Sequence, residues 1–194
     1  MNNYIKLLES PKPSIVIVTG PSGTGKTMQA CKVAQKSLYN GMYDRIVLTR
    51  PAVTPPGGES HGYIPGTLDE KMDPWIRPSL EYLGPHQKRL EVCPLSFMRG
   101  RTFDKTWLIA DEMQNSTKEQ MLMLLTRIGY GSKLVIIGDP DQVDGNYVGL
   151  EDLLNRLVLS DEISHVQLTN VYRSPVVKEV LSMYGTSTDS VRRR

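Results

Sequence analysis

Short apolar runs, rich in β-branched residues, alternate along this 194-residue chain with longer stretches of helical periodicity. Residues 14–19 read as a buried strand and 28–39 as a helix, whose end Asn40 and Gly41 mark. Residues 45–49 form the next predicted strand. Residues 51–66 are rich in Pro and Gly and must be irregular, as a functional loop or a β-arm. Residues 69–83 carry a helical pattern interrupted by Pro74 and Pro78. Short strands are predicted at 90–94, 106–110, 133–137 and 165–168, and a helix over 118–128. A last helix runs from Pro175, a good first-turn residue, to about Tyr184. Helices alternating with continuously apolar strands predict an α/β fold with a mostly parallel sheet covered on both faces. No internal repeat or low-complexity segment interrupts this order.

Composition narrows the picture only a little. The length suits one domain over 1–194, with a core of about 14–184. Residues 185–194 end in Arg192, Arg193 and Arg194, a solvated basic tail or a phosphate-binding one. Net charge is +2, which argues against a protein that coats DNA constitutively. Cys31 and Cys93 lack metal or redox spacing and suit two reduced structural thiols in a cytoplasmic protein. His61, His86 and His165 lack ligand spacing and read as structural or surface residues. No apolar run is long enough to span a membrane, and the first ten residues carry no signal pattern.

The chemistry begins at Gly20-Pro21-Ser22-Gly23-Thr24-Gly25-Lys26-Thr27, which fits G-x-x-x-x-G-K-[ST]. Glycines let successive backbone N–H groups turn inward on phosphate oxygens, and the helix that follows offers its N-terminus to the same anion. Lys26 reaches the β- and γ-phosphates, the Thr27 hydroxyl ligates Mg²⁺, and Met28 completes the nucleotide-binding set. The motif stands between a predicted strand and a predicted helix, as it must.

The predicted strand over 106–110 leads into Asp111-Glu112. An aspartate there suits Mg²⁺, which favours oxygen ligands. Glu112 is the natural general base for an attacking water; the alternative is a solvated acid in the first turn of a helix. Gly138-Asp139-Pro140-Asp141-Gln142 ends another strand. It places Gln142 to sense a γ-phosphate or orient water, or else forms a simple turn. Gln114 and Asn115 are either relays of nucleotide state or helix-capping residues.

With these residues assembled, the chain resembles the PhoH family of P-loop ATPases. The matching stretches are the phosphate loop, residues 45–53, 64–66 with 70–75, 97–102, 111–115, 125–129, Gly138-Asp139 with Gln142, and 173–177. They cover nearly the whole chain. The resemblance implies a three-layer RecA-like core, close to one lobe of superfamily 1 helicases, with an irregular or β-arm insertion after the second strand. It implies Asp111 and Glu112 as the acidic motif, Gln142 as the γ-phosphate coupler, and Arg173 as a charge-stabilising arginine acting in its own subunit or a neighbour's. The glutamine with which many relatives read adenine has no counterpart here, where Asn2 and Asn3 are the nearest amides.

The expected function is therefore Mg²⁺-dependent hydrolysis of ATP, with Lys26, Glu112, Gln142 and Arg173 catalytic and Thr27 and Asp111 holding the metal. The resemblance extends this to RNA or single-stranded nucleic acid, for which Arg50, Arg99, Arg101, Arg127, Tyr63 and Trp75 are candidates. The segment 48–51 sits where helicases touch single strands. A single lobe implies a homo-oligomeric ring, such as a hexamer, with Arg173 or Arg101 completing a neighbour's site. The alternatives are a nucleotide-dependent binding switch with little turnover and a small-molecule kinase. The adjacent Glu112 argues against the switch; kinases usually need a basic lid over the acceptor, and the acidic pair with Gly138-Asp139 and Gln142 fits hydrolysis better.

Overall fold

The computed structural model describes residues 1–51, 79–83, 89–172 and 174–183. Helix α1 (Asn2–Glu9) precedes strand β1 (Ile15–Thr19), helix α2 (Lys26–Tyr39) and strand β2 (Arg45–Thr49). After the insertion come β3 (Leu90–Val92), a 3-10 turn (Leu95–Met98), β4 (Thr106–Ala110) and a second 3-10 turn (Met113–Asn115). Then follow α3 (Lys118–Leu125), β5 (Lys133–Gly138), α4 (Gly149–Asn155), β6 (Ile163–Gln167) and α5 (Pro175–Met183). The six strands form one sheet in the order β3-β2-β4-β5-β1-β6, and every pairing is parallel. The architecture is that of a RecA-like P-loop NTPase core.

Side-chain alternation along the strands splits the interior into two layers. Val16, Val18, Trp107, Ile109, Val135 and Ile137 face one side, where α1 and α2 cover them with Tyr4, Leu8, Ala30, Cys31, Ala34 and Leu38. Ile17, Leu108, Ala110, Leu134 and Ile136 face the other, under Met113, Met121, Leu124 and Leu150. Strands buried on both faces read as unbroken apolar runs, which is why the sequence displays them clearly.

The differences from the predicted elements have local causes. Helix α3 stops at Leu125 instead of running to 128, because Ile128 leaves it to form a parallel bridge with Phe103. Gly129 then packs so tightly on Phe103 and Asp104 that a Cβ would meet the Phe103 carbonyl oxygen at 2.6 Å. Its start matches the expectation: the Thr117 hydroxyl accepts from Gln120 N–H, and the Gln120 side chain accepts from Thr117 N–H, a reciprocal cap contributing about 1 kcal/mol. Strand β3 ends at Val92 and β6 begins at Ile163. Helices α1 and α4 were not predicted. Of the predicted helix at 69–83, residues 79–83 are helical; the remainder, the insertion from residue 52 and the tail from 185 lie outside the described residues. Among the described residues, no helix is long and apolar enough to cross a membrane.

Candidate functional site

Strand β5 separates β1 from β4, so the loop after β1 and the residues after β4 face each other across a crevice at the carboxyl ends of the strands, where open α/β sheets place their ligands. The crevice is a cavity of about 300 Å³. Its lining includes Ser22, Gly23, Gly25, Lys26, Thr27 and Met28 from the loop and α2, Asp111 and Glu112 from β4, and Asp139 and Gln142 from β5. Arg50, Ser79 and Tyr82 close another side.

The phosphate loop is built by glycines where the backbone requires them. Gly25 caps α2 with φ 83°. At Gly20, φ is 137° and a Cβ would lie 2.0 Å from the Leu168 carbonyl oxygen, so only glycine fits. Pro21 and Thr24 shape the loop from behind: the Thr24 hydroxyl donates to the Pro21 carbonyl at 2.9 Å. The Lys26 ammonium donates to the carbonyls of Gly20 (2.5 Å) and Pro21 (2.9 Å). Desolvation lowers its pKa from the ordinary lysine value, against the pull of Asp139, Asp111 and Glu112. From outside the loop, Tyr172 N–H donates to the Gly23 carbonyl at 2.8 Å. The next residue, Arg173, lies outside the described residues, as do Tyr63, Trp75, His61 and His86.

The acidic side is tightly arranged. The Thr27 hydroxyl donates to Asp111 Oδ2 at 2.9 Å, and Glu112 N–H donates to Asp111 Oδ1 at 3.0 Å. Burial, reinforced by the neighbouring Glu112 charge, pushes the Asp111 carboxyl up to about 6. Glu112 has φ 55° and ψ 36°, a left-handed conformation that costs a residue with a Cβ about 1 kcal/mol or more. It turns the chain off the end of β4 and leaves Glu112 on the cavity wall.

Gln114 and Asn115, each under 4% exposed, are not helix caps; Thr117 does that work. Gln114 reaches Glu112 and Asp139, while Asn115 reaches Asp144. The turn alternative for Gln142 is also present, since Gln142 N–H donates to the Asp139 carbonyl at 3.0 Å while the residue lines the cavity.

Two of the basic candidates are engaged within the fold. Arg101 donates to Glu91 Oε1 at 2.5 Å and lies over the Phe103 ring at 4.6 Å. Arg127 donates to the carbonyls of Met123 and Arg101, both at 3.2 Å. Arg50 does reach the cavity. His165 sits on β6 with its Nε2 2.9 Å from the Thr19 hydroxyl. Cys31 and Cys93 are free and buried.

Sequence reasoning missed Tyr4. Its hydroxyl donates to the Lys26 carbonyl at 3.0 Å, and Met1 approaches Gly25. Helix α1 thus braces the first turn of α2. The signal was the spacing of Tyr4, Leu7 and Leu8, three and four residues apart on one helical face.

Phosphate loop, hydroxyl–carboxylate pair and strand order together define a P-loop NTPase core. The chain belongs to the PhoH family: the family model described as PhoH-like protein matches residues 1–185. It is 44% identical to a PhoH-like protein of Bacillus subtilis, across 88% of this chain and 58% of that protein. With a PhoH-like protein of Synechocystis the identity is 36%, across 96% of this chain and 61% of the relative. With Protein PhoH of Escherichia coli it is 32%, across 94% and 56%. The chain therefore spans little more than half the length of these relatives.

Proposed function

We propose that this chain binds ATP with Mg²⁺ and hydrolyses it to ADP and phosphate. The observation that carries the reading is the Thr27 hydroxyl 2.9 Å from Asp111 Oδ2, with Glu112 beside them on the wall of the cavity that the phosphate loop also lines. A half-buried carboxylate with a second carboxylate adjacent, and a hydroxyl rather than a cationic side chain as its close donor, is a set of hard oxygen donors that fits a divalent cation. Thr27 and Asp111 would hold Mg²⁺, which supplies charge neutralisation at the terminal phosphates. The glycines and the α2 N-terminus bind the phosphates through backbone N–H groups. Lys26 turns from the Gly20 and Pro21 carbonyls to phosphate oxygens, exchanging one set of acceptors for a charged one. Glu112 accepts a proton from the attacking water. Gln142 contacts the γ-phosphate or that water, and Arg173 supplies further positive charge.

Coupling to RNA or single-stranded nucleic acid is part of the proposal. Arg50 supports it, as a cation at the cavity edge directly after β2. Assembly into a homo-oligomeric ring is supported by α5, which exposes Val176, Val177, Val180 and Met183 on a single stripe that a neighbouring copy would cover.

The test is phosphate release from Mg·ATP, with and without single-stranded RNA, beside Lys26→Ala and Glu112→Gln. Turnover that rises with RNA and is lost in both variants supports the reading. ATP binding without Lys26-dependent turnover under any condition replaces it with a nucleotide-dependent switch.

A further inference from the structure

Three consecutive residues after β4 hold the whole connection from β5 to α4. Gln114 takes its start, where the side-chain oxygen accepts from Asp139 N–H at 3.2 Å. Asn115 takes its middle by a reciprocal pair: its amide donates to Asp144 Oδ2 at 2.6 Å, and its oxygen accepts from Asp144 N–H at 2.9 Å. Ser116 takes its end, its carbonyl accepting from Gly149 N–H at 2.8 Å. Between these anchors, residues 140–146 are exposed, and Gln142 among them lines the cavity.

Gln114 does more than anchor. Its amide nitrogen donates to Glu112 Oε2 at 2.5 Å. The partners dictate the amide orientation, since a carboxylate can only accept and a backbone N–H can only donate. One buried side chain therefore spans the proposed base and the first residue of the proposed γ-phosphate-sensing loop. The contact is close at every point: a Cβ on Gly138 would lie 3.0 Å from the Gln114 side-chain oxygen and 3.1 Å from its backbone nitrogen. The left-handed backbone of Glu112 is held from three sides, by Asp111 Oδ1 on its N–H, by Asn115 N–H on its carbonyl and by Gln114 on its carboxylate. Such a conformation persists where surroundings over-determine it.

We infer that Gln114 is a positioning residue: it fixes the Glu112 carboxylate relative to the Asp139–Asp144 loop, so that the base is aimed only when the loop carrying Gln142 is in place. This rests on the reading of Glu112 as the base. The link is a single amide that must satisfy both partners, so a shift of Asp139 is transmitted to the carboxylate.

The variants Gln114→Asn and Gln114→Met separate this from a packing role. The first keeps the amide but is one methylene too short to span both partners, and the second keeps length without polar atoms. Each is measured for kcat, KM for Mg·ATP and melting temperature, alone and combined with Glu112→Gln. The expected result is a fall in kcat of about tenfold in either variant, with KM altered less than about twofold, and almost no further loss of the residual rate when Gln114→Met is added to Glu112→Gln. Unchanged kcat in Gln114→Asn beside an impaired Glu112→Gln overturns the inference while leaving the base assignment intact. A full tenfold loss again on top of Glu112→Gln overturns it as well, because Gln114 would then act elsewhere. Glu112→Gln turning over at the parent rate overturns the base assignment and this inference with it. If Gln114→Met does not fold, Gln114→Asn alone carries the comparison.

Discussion

The two ends of the central sheet each withdraw a charge from water, Lys133 fully and Asp111 in part, and they surround it differently. At the amino end of β5, Lys133 is fully buried. Its ammonium donates to the carbonyls of Leu7 (2.8 Å) and Ser10 (2.7 Å), the last turn and cap of α1, and lies 5.8 Å from the Trp107 ring centroid. At the carboxyl end of β4, Asp111 is held by one hydroxyl and one N–H and has Glu112 as its neighbour. The two carbonyls and the Trp107 ring around the Lys133 ammonium welcome a cation, the carbonyls standing at the negative end of a helix dipole. Asp111 has a carboxylate of its own sign beside it, Glu112, offset in part by the Thr27 hydroxyl and by Arg50. A buried charge whose neighbours all complement it is architecture; one set beside a second charge of its own sign is a place where a further counter-charge is expected to arrive.

That contrast is open to attack from both ends. The largest effect is expected at the carboxyl end: Lys26→Ala and Glu112→Gln should each cut ATP turnover by about a hundredfold or more, read as phosphate release. The melting temperature should change little in Glu112→Gln, whose remaining side-chain oxygen can still accept from Gln114. At the amino end the outcome reverses. Lys133→Met should lower stability by about 1–3 kcal/mol in chemical denaturation, because the Leu7 and Ser10 carbonyls lose their donor, while turnover per folded molecule stays near the parent value. A stable Lys133→Met protein would show that the lysine is dispensable and the contrast false. Tyr4→Phe joins the two ends through α1. It should cost about 1 kcal/mol of stability and raise KM for Mg·ATP a few-fold, through the loss of one bond to the Lys26 carbonyl.

The last effect is in pH. Burial lowers the Lys133 pKa from 10.5 to about 8. Between those values the unfolded chain binds the proton more tightly than the folded one, so this residue makes stability rise with pH across that window, by at most about 1.4 kcal/mol per pH unit. Its burial cost is fully present below about pH 8. The difference in pH slope between parent and Lys133→Met, measured from pH 8 to 10, isolates the contribution. A parent slope no steeper than the variant's would show that the two carbonyls offset the burial.

Much of this was legible in the sequence because it is written locally. Strands β1, β2, β4 and β5 are apolar runs whose ends fall within a residue or two of expectation, and the phosphate loop declares itself by its glycines and Lys26. What escaped is written between distant positions. Helix α4 spans seven residues, begins with glycine and is fixed by Ser116 and Leu150 packing rather than by its own pattern. Gln114 stayed ambiguous because one of its partners lies 25 residues away, and the 3-10 turn that presents it has no strong sequence signal. Arg101 read as an available cation, yet β3 brings Glu91 to it, a pairing that only the sheet order reveals.

The place of β1 in the sheet has a consequence for biosynthesis. The strand leading into the phosphate loop leaves the ribosome before either of its two hydrogen-bonded neighbours, β5 and β6. A nascent chain halted before residue 133 carries the complete glycine-lysine motif on a strand with neither of those partners, and such non-local parallel pairing is slow to form. Such a fragment, recognised by its motif alone, would hold the letters of the site without Ile137, Asp139 and Gln142, which complete the cavity wall.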